Sequence, residues 1–226
     1  MLNSLLSKYE SILVFDIETT GFDPKRDEII EIGMLQVANE RGSPAIKGEF
    51  GALIKLSENK TLPAKITELT GISSGQLAAE GIPKAEACAY LMEMLACGNS
   101  LLAAYNAQFD LGFLYYFLHR FDKAAVLKNF RMLDVLTVYR DRKPYPHKLS
   151  DAVEAYSIDA GDAHRALDDA RMTYDVLRKM GEEEDDLINY VNLFGYNPKY
   201  GVSGQKISSV QYTPQNYDAV KKLYEI

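Results

Sequence analysis

The sequence is poor in cysteine and has no tryptophan and no long apolar run, and we expect it to carry no secretion leader. Its two cysteines, Cys88 and Cys97, among 226 residues cannot form a disulfide framework. We expect both to be small buried hydrophobic groups in a reducing cytoplasm. No stretch approaches the roughly 20 apolar residues of a membrane span, and residues 1–8 lack the basic and then apolar pattern of a signal peptide. These absences indicate a cytoplasmic globular protein that does not enter a membrane.

Positive charge is also scarce. The chain has 25 basic and 32 acidic residues, a net charge of −7, which argues against a broad nucleic-acid-binding surface. The acidic run Glu182 to Asp186 is the best candidate for a boundary. It divides the sequence into a main domain, 1–181, and a C-terminal extension, 182–226. The extension is too rich in aromatic residues between 189 and 212 for a disordered linker, so we expect it to pack on the domain or on a partner.

The apolar residues, 47% of the chain, follow a pattern typical of a mixed α/β domain. Three strands with short links come first and predict an antiparallel meander. Helices and one further buried strand follow, and 132–139 is ambiguous between the two. The predicted strands are 11–20, 28–38, 49–56 and 101–105, and the predicted helices are 63–69, 83–96, 109–121, 149–156 and 164–180. This order favours one mixed sheet flanked by helices.

Two acids interrupt the first strand. Asp16 and Glu18 are two residues apart, so they lie on one face of the strand, while Ile17 faces the other way. Adjacent carboxylates repel each other, and a hard cation such as Mg²⁺ would relieve that repulsion by taking their oxygen atoms as ligands. Alternatively, both acids are solvated at the end of an exposed strand.

Two later sites carry further candidate groups. Asp110 lies between a buried strand and an apolar helix, where it could also serve as a helix cap. His164 stands at the entrance of the last long helix, followed by Asp168 and Asp169. The other histidines, His119 and His147, lie among basic or aromatic residues and are expected to be surface or packing groups.

Taken in order, these sites resemble the DEDDh class of 3′→5′ exonucleases, the DnaQ-like family with a ribonuclease-H-like fold, which includes proofreading subunits of bacterial DNA polymerase III. The motifs that carry the resemblance are 15–21 (FDIETTG), 106–110 (NAQFD) and 164–170 (HRALDDA), with 69–72 (LTGI) between the first two. The resemblance covers about residues 10–181. Arg165 stands where the related DEDDy class has a tyrosine, and the five-residue spacing from His164 selects Asp169 over Asp168.

The resemblance implies a catalytic site and its cofactors. Asp16, Glu18, Asp110 and Asp169 would hold two divalent cations, Mg²⁺ or Mn²⁺, and His164 would be the general base. The products would be nucleoside 5′-monophosphates released from single-stranded 3′ ends. Residues expected to contact or support the substrate are Thr19, Thr20 and Gly21 through their backbone, Phe22 by stacking unless it is a packed loop residue, and Asn106 and Phe109 beside Asp110.

The substrate is less determined than the reaction. Proofreading of DNA is the leading expectation, and trimming of RNA or short oligonucleotides is the alternative. A third alternative is a polymerase-associated subunit that acts mainly through 182–226. A basic cluster, Arg140, Arg142, Lys143 and Lys148, would hold the phosphate backbone or form a solvated loop. Two divalent cations would neutralise the net charge of −4 on residues 1–181, so acidity does not exclude a nuclease.

Overall fold

The computed structural model describes residues 2–159, 165–215 and 221–226, so His164 lies outside the described residues. The strands are β1 (Ser11–Thr19), β2 (Ile29–Glu40), β3 (Ser43–Leu53), β4 (Ser100–Ala104), β5 (Arg131–Asp134), β6 (Leu193–Tyr196) and β7 (Gln211–Pro214). The helices are α1 (Asn3–Leu6), α2 (Ala64–Thr70), α3 (Ser74–Glu80), α4 (Lys84–Leu95), α5 (Ala107–His119), α6 (Val135–Arg142), α7 (Leu149–Ala155) and α8 (Ala166–Glu183). Single 3₁₀ turns lie at Ala124–Asn129, Leu187–Tyr190 and Leu223–Glu225.

Five strands form the main sheet, in the order β3-β2-β1-β4-β5. β1, β2 and β3 are antiparallel neighbours, whereas β4 and β5 run parallel to β1. The predicted meander and mixed sheet are therefore confirmed. The prediction that β3 begins at Glu49 is wrong, because Arg41 and Gly42 both have positive φ and close a two-residue hairpin in which Glu40 pairs with Ser43.

The ambiguous segment contains both kinds of structure. β5 ends at Asp134, and the Asp134 carboxylate accepts hydrogen bonds from the backbone and side chain of Thr137, which caps α6. The sequence analysis missed α3, a seven-residue helix that begins with a capping box between Ser73 and Gln76. Both features are short, and their signals lie in cap residues rather than in apolar periodicity.

The central strand β1 is buried on both faces, and its alternation divides the core. Ile12 and Val14 face one apolar cluster, which includes Val176 and Leu177 of α8. Leu13 and Phe15 face the other cluster, with α4 and α5. Because side chains two residues apart share a face, Asp16 and Glu18 continue the row that points toward α8. The packing of α8 thus determines what these acids meet.

The acidic run at 182–186 fastens the extension to the rest of the chain. α8 continues to Glu183, past the predicted end at Gly181. The Asp185 carboxylate accepts hydrogen bonds from the backbone of Asn3 and Ser4 at 2.8 and 3.1 Å. Beyond the run, Leu187, Tyr190 and Leu193 join the apolar cluster on the α8 side, Phe194 joins the cluster on the other side, and β6 pairs in parallel with β7. The aromatic extension packs on the domain.

Two members of the basic cluster, Arg142 and Lys143, have a different role from either one expected. The Arg142 side chain is 3% exposed and bonds to Asp186 and to the carbonyl oxygen of Met180. Lys143 pairs with Glu183. Acids about 40 residues later in the chain neutralise these two groups. Arg142 and Lys143 therefore neither form a solvated loop nor remain free to bind a phosphate. Lys148 is exposed, and Arg140 lies in a cleft described below.

We expect Arg142→Gln to lower the free energy of unfolding by about 3 kcal/mol, because it removes the buried cation beside the Asp186 carboxylate and the hydrogen bonds of its guanidinium to two main-chain oxygens. Urea denaturation followed by circular dichroism measures this change. Arg178→Gln is the matched control, since Arg178 pairs with Glu182 on the surface of α8, and its loss should cost less than about 0.5 kcal/mol. Equal effects for the two variants would contradict the role of Arg142.

The cysteines and the two described histidines are outside the acidic site. Cys88 is buried on α4, as expected, whereas Cys97 at the end of that helix is half-buried, and both thiols are free. His119 is exposed and stacks on Tyr115, and the buried His147 bonds to the carbonyl oxygen of Lys143. Over the described ranges, each helix is too short or too polar to cross a bilayer.

Candidate active site

Three carboxylates converge between β1 and α8. Asp16 and Glu18 come from the α8-facing row of β1, and Asp169 comes from the first turn of α8. One oxygen atom from each can be chosen so that all three lie within 4.8 Å of one another. All three side chains are half-buried. We call Asp16, Glu18 and Asp169 the carboxylate cluster.

Asp110 approaches the cluster from the other side of β1. It lies in the first turn of α5 and is 3% exposed. The N-cap of α5 is Asn106, which has the left-handed conformation, with φ of 67°. Asn106, and not Asp110, is therefore the N-cap residue. The Asp110 carboxylate accepts hydrogen bonds from its own backbone N–H in the first turn of α5 and from the backbone of Ile17, the residue between the two acids of β1.

The acids act on one another strongly. Burial raises the pKa of Asp16 well above its usual range, and the neighbouring carboxylates of Asp110, Asp169, Glu18 and Glu31 raise it further. Burial, followed by the charges of Asp169 and Glu31, raises the pKa of Glu18 to about 8. Burial also raises the pKa of Asp110, although backbone hydrogen bonds oppose the shift. Concentrated negative charge with several oxygen ligands in reach is the chemistry that a hard divalent cation requires. The residues present therefore fit a divalent metal.

The two consecutive aspartates of α8 point to different places. Asp169 joins the carboxylate cluster, whereas Asp168 lines a separate cleft with Glu31, Glu80 and Arg165. A helix turns about 100° per residue, so neighbouring side chains cannot reach the same point. Asp169 is therefore the aspartate of this pair that lies with Asp16 and Glu18.

The start of α8 is held by Glu31, a residue that the sequence analysis missed. The Glu31 carboxylate is buried on β2, accepts the backbone N–H of Ala166 at 3.1 Å and pairs with Arg165 at 2.7 Å. Opposite this point, Gly33 leaves room for the helix, because a Cβ atom there would collide with the backbone of Ala166 and Leu167. An acid interrupting the apolar run of β2 was a signal of the same kind as Asp16, but no motif drew attention to it.

We expect Glu31→Gln to displace the start of α8 and therefore Asp169. A small displacement of a reacting group can reduce turnover by up to about 10²-fold, so we expect kcat of the hydrolysis that the sequence motifs imply to fall about tenfold and the affinity for Mg²⁺ to weaken. Kinetics and a Mg²⁺ titration of the melting temperature measure these effects. The control is Glu49→Gln, which removes an exposed pair with Arg171 between β3 and α8. A loss of stability with unchanged kcat and Mg²⁺ affinity would contradict a positioning role.

The predicted substrate residues surround the carboxyl end of β1. The backbone N–H of Thr20 donates to the carbonyl oxygen of Glu28 at 2.9 Å, so this amide is already engaged. The Thr19 hydroxyl donates to the carbonyl oxygen of Gly21 at 2.6 Å. These contacts stabilise the turn and leave Phe22 beyond it.

Two phenylalanines lie close in sequence to acids of the site, Phe22 after Glu18 and Phe109 before Asp110. Phe22 is 84% exposed and meets Phe109 edge to face, with 6.3 Å between ring centroids. An exposed ring at this place is not a packed loop residue, and its face is available for stacking. Asn106 is exposed one turn before Asp110. His164 lies outside the described residues, so its assignment depends on the sequence motif.

Comparison with known proteins gives concordant matches. A family model described as Exonuclease (RNase_T) matches residues 13–177. The chain is 34% identical over 229 residues to a "DNA polymerase III PolC-type" protein of Clostridium perfringens, covering 96% of this chain and 15% of the relative. It is also 34% identical over 169 residues to the "3'-5' exonuclease DinG" of Bacillus subtilis, covering 73% of this chain and 17% of the relative. The chain thus spans less than a fifth of the length of these two relatives.

Among solved structures, a zinc-bound complex of E. coli exonuclease I with single-stranded DNA superposes with a TM-score of 0.71. The sequences are 18% identical, and the match covers 80% of this chain and 42% of the other. At this identity the likeness concerns the fold. The ribonuclease-H-like mixed sheet expected from the sequence is confirmed.

Proposed function

Because the chain belongs to the RNase_T exonuclease family, we propose that it is a divalent-metal-dependent 3′→5′ exonuclease that acts on single-stranded DNA ends. Its products would be nucleoside 5′-monophosphates. The observation that carries the proposal is the carboxylate cluster, with oxygen atoms of Asp16, Glu18 and Asp169 within 4.8 Å of one another. The name of the DinG relative supports the direction of cleavage, and the name of the PolC-type relative supports DNA as the substrate.

In this proposal the four acids hold two Mg²⁺ or Mn²⁺ ions. Asp16, Glu18 and Asp169 form one group of ligands, and Asp110 contributes from the opposite side of β1. Bound divalent cations supply charge stabilisation to both the attacking and the leaving oxygen of a phosphodiester. The electrostatic strain among the metal-free acids supports their role as ligands, because it makes a cation favourable at this place.

The chain's own residues supply proton transfer and orientation. His164 would take the proton from the attacking water, which suits a group with an ordinary pKa near neutrality. The ring of Phe22, together with Phe109, would stack on or wedge beside the terminal base. Backbone groups of the turn at Thr19 and Gly21 would hold the terminal nucleotide. The amide of Thr20 would not take part, because it donates to the carbonyl oxygen of Glu28.

We also propose the division of the chain into an exonuclease domain, 1–181, and an extension, 182–226. The buried positions of Tyr190 and Phe194 support an extension that serves this chain's own fold. The PolC-type relative is named as a polymerase, which favours a polymerase as the protein partner. Pull-down of a purified replicative polymerase by the whole chain, compared with a chain lacking 182–226, tests whether the extension makes that contact.

The function is tested with the purified protein and a 20-nucleotide DNA strand labelled at its 5′ end. Shortening in single steps from the 3′ end, release of 5′-monophosphates and complete inhibition by EDTA are the expected results. A mismatched duplex and an RNA of the same sequence, tested in parallel, identify the preferred substrate. Internal cleavage, or equal activity in EDTA, would contradict the proposal.

A further inference from the structure

A second cleft lies between the domain and the extension. The domain side is formed by Asn106, Asp134 and Arg140, and the extension side by three tyrosines, Tyr196, Tyr200 and Tyr212. We call it the extension pocket. Its volume is about 190 Å³, below the roughly 300–1,000 Å³ of sites for drug-sized ligands. It therefore has room for part of a nucleotide, such as its base or its phosphate group.

The pocket is beside the candidate active site. Asn106 follows β4 and Asp134 ends β5, so the pocket opens at the carboxyl ends of two parallel strands, the edge at which ligands bind in open α/β sheets. Asn106 also begins the helix that carries Asp110. A polymer held at the carboxylate cluster could therefore continue into this pocket.

The wall contributed by the extension is fixed to the second sequence motif. The side chain of Gln108 donates to the carbonyl oxygen of Gln205 and accepts from the hydroxyl of Tyr212. Tyr116 donates to the side chain of Gln205 at 2.8 Å. Residues of the extension are thus tied to the same helix as Asp110, and the pocket belongs to the folded chain.

Arg140 is the group in the pocket whose hydrogen-bond donors lack acceptors. Its Nε atom is buried and has no hydrogen-bond partner, and throughout the described part of the chain its guanidinium forms no hydrogen bond or ion pair. The terminal nitrogens of Arg142, two residues later, bond to Asp186 and two carbonyl oxygens, although its Nε atom is also buried without a partner. A guanidinium presents five donors, and leaving buried donors unsatisfied is costly. An acceptor such as a phosphate oxygen or a base carbonyl would satisfy them.

The tyrosines supply a stacking surface beside that donor. Tyr200 is 76% exposed although it lines the pocket, and the ammonium group of Lys199 lies 5.2 Å from the centroid of its ring. Aromatic side chains next to a basic group are the usual means by which proteins hold single-stranded nucleic acid without sequence preference. The ligand chemistry that matches both features is a nucleotide.

We propose that the extension pocket binds one nucleotide of the single DNA strand, separate from the terminal nucleotide at the carboxylate cluster. The base stacks on Tyr200, and Arg140 donates to an acceptor of that nucleotide. This inference rests on the proposed exonuclease function, whose substrate it extends by a second contact. It also gives the extension a part in substrate binding.

The test measures binding of a fluorescein-labelled strand of ten thymidines by fluorescence anisotropy in EDTA, where no hydrolysis occurs. Tyr200→Ala and Arg140→Gln are each expected to weaken binding at least about fivefold, the lower end of the effect of losing one base–aromatic stack. Tyr145→Ala is the matched control, because Tyr145 is 78% exposed and outside the pocket, and its affinity should equal that of the wild type. Unchanged affinity in both pocket variants, or a wild type that does not bind, would overturn the proposal.

Hydrolysis distinguishes this proposal from the exonuclease proposal itself. In Mg²⁺ the ratio of kcat/KM for the ten-nucleotide strand to that for an aryl ester of thymidine 5′-monophosphate should fall about fivefold in Tyr200→Ala. An equal ratio in wild type and variant would overturn the proposal that the extension pocket binds a nucleotide. If the wild type hydrolyses neither compound, the exonuclease function fails, while the anisotropy measured in EDTA still decides whether the pocket binds a nucleotide.

Discussion

Replacing Asp16 with Asn is expected to lower kcat for DNA hydrolysis by at least about 10³-fold, which corresponds to about 4 kcal/mol of transition-state stabilisation. Asp16 lies at the centre of the acidic site, because its carboxyl group interacts with both Asp110 and Asp169. The amide keeps the shape of the side chain but removes the negative charge that a divalent cation requires. Single-turnover kinetics on a labelled DNA strand measure the loss.

The same variant is expected to stabilise the metal-free protein. Burial and repulsion from the neighbouring carboxylates both disfavour the charged form of Asp16, and the neutral amide relieves both costs. In EDTA, Asp16→Asn should melt a few degrees above the wild type, because about 1 kcal/mol shifts the melting temperature of a chain of this size by about 2–4 °C. Added Mg²⁺ should raise the melting temperature of the wild type and leave that of the variant nearly unchanged.

Asp168→Asn is the matched control for Asp16→Asn, since it removes a neighbouring acid of α8 that lines a different cleft. It should retain hydrolysis and the stabilisation by Mg²⁺. Activity of Asp16→Asn within tenfold of the wild type would contradict the assignment of the metal site. An Asp16→Asn variant that is less stable than the wild type in EDTA would contradict the claim that the charge of Asp16 destabilises the metal-free site.

His164→Gln is expected to reduce kcat by about 10²–10⁴-fold, the usual contribution of a general base. The reason is chemical, because glutamine cannot accept a proton from water near neutral pH. A base must be unprotonated to act, so the rate of the wild type should rise with pH as that base loses its proton. That rise should disappear in the variant, whereas stabilisation by Mg²⁺ should persist. Rate–pH profiles and thermal melts measure both.

His119→Gln is the control for His164→Gln, because His119 is exposed and stacks on Tyr115 of the same helix. It should keep both the rate and its pH dependence. A His164→Gln variant that loses stabilisation by Mg²⁺ together with activity would indicate a role in holding the metal rather than in proton transfer. A variant with the full rate would exclude the residue from the reaction.

The sequence predicted those parts of the fold whose signal is local and repeated. The strand β1 and the helix α5 have long apolar patterns, so both were expected close to their actual bounds. The hairpin at Arg41 and Gly42 was mistaken for a longer connection, because a two-residue turn depends on positive φ at both positions rather than on composition. The segment with β5 and α6 was undecidable, since Asp134 both ends the strand and caps the helix.

The candidate site shows the same division. The spacing of Asp16 and Glu18 places them on one strand face, and motif order then indicates Asp169. Glu31 was missed, because its importance comes from a helix about 135 positions later in the chain. The role of Arg142 could not be predicted for the same reason, since only the fold shows that acids of the extension neutralise it. Pairings between distant segments leave no periodic trace in a sequence.

The uninterrupted course of α8 has a consequence for local opening of the molecule. This helix of 18 residues, about 27 Å long at 1.5 Å per residue, carries Asp169 at its first turn and the start of the acidic run at its last. Opening the turn Leu187–Tyr190 would expose the ring of Tyr190, which is fully buried in the cluster that α8 shares with the sheet. We therefore expect the start of the extension and the helix α8 to open as one cooperative unit. Amide hydrogens of the turn Leu187–Tyr190 should then exchange with solvent at rates near those of global unfolding.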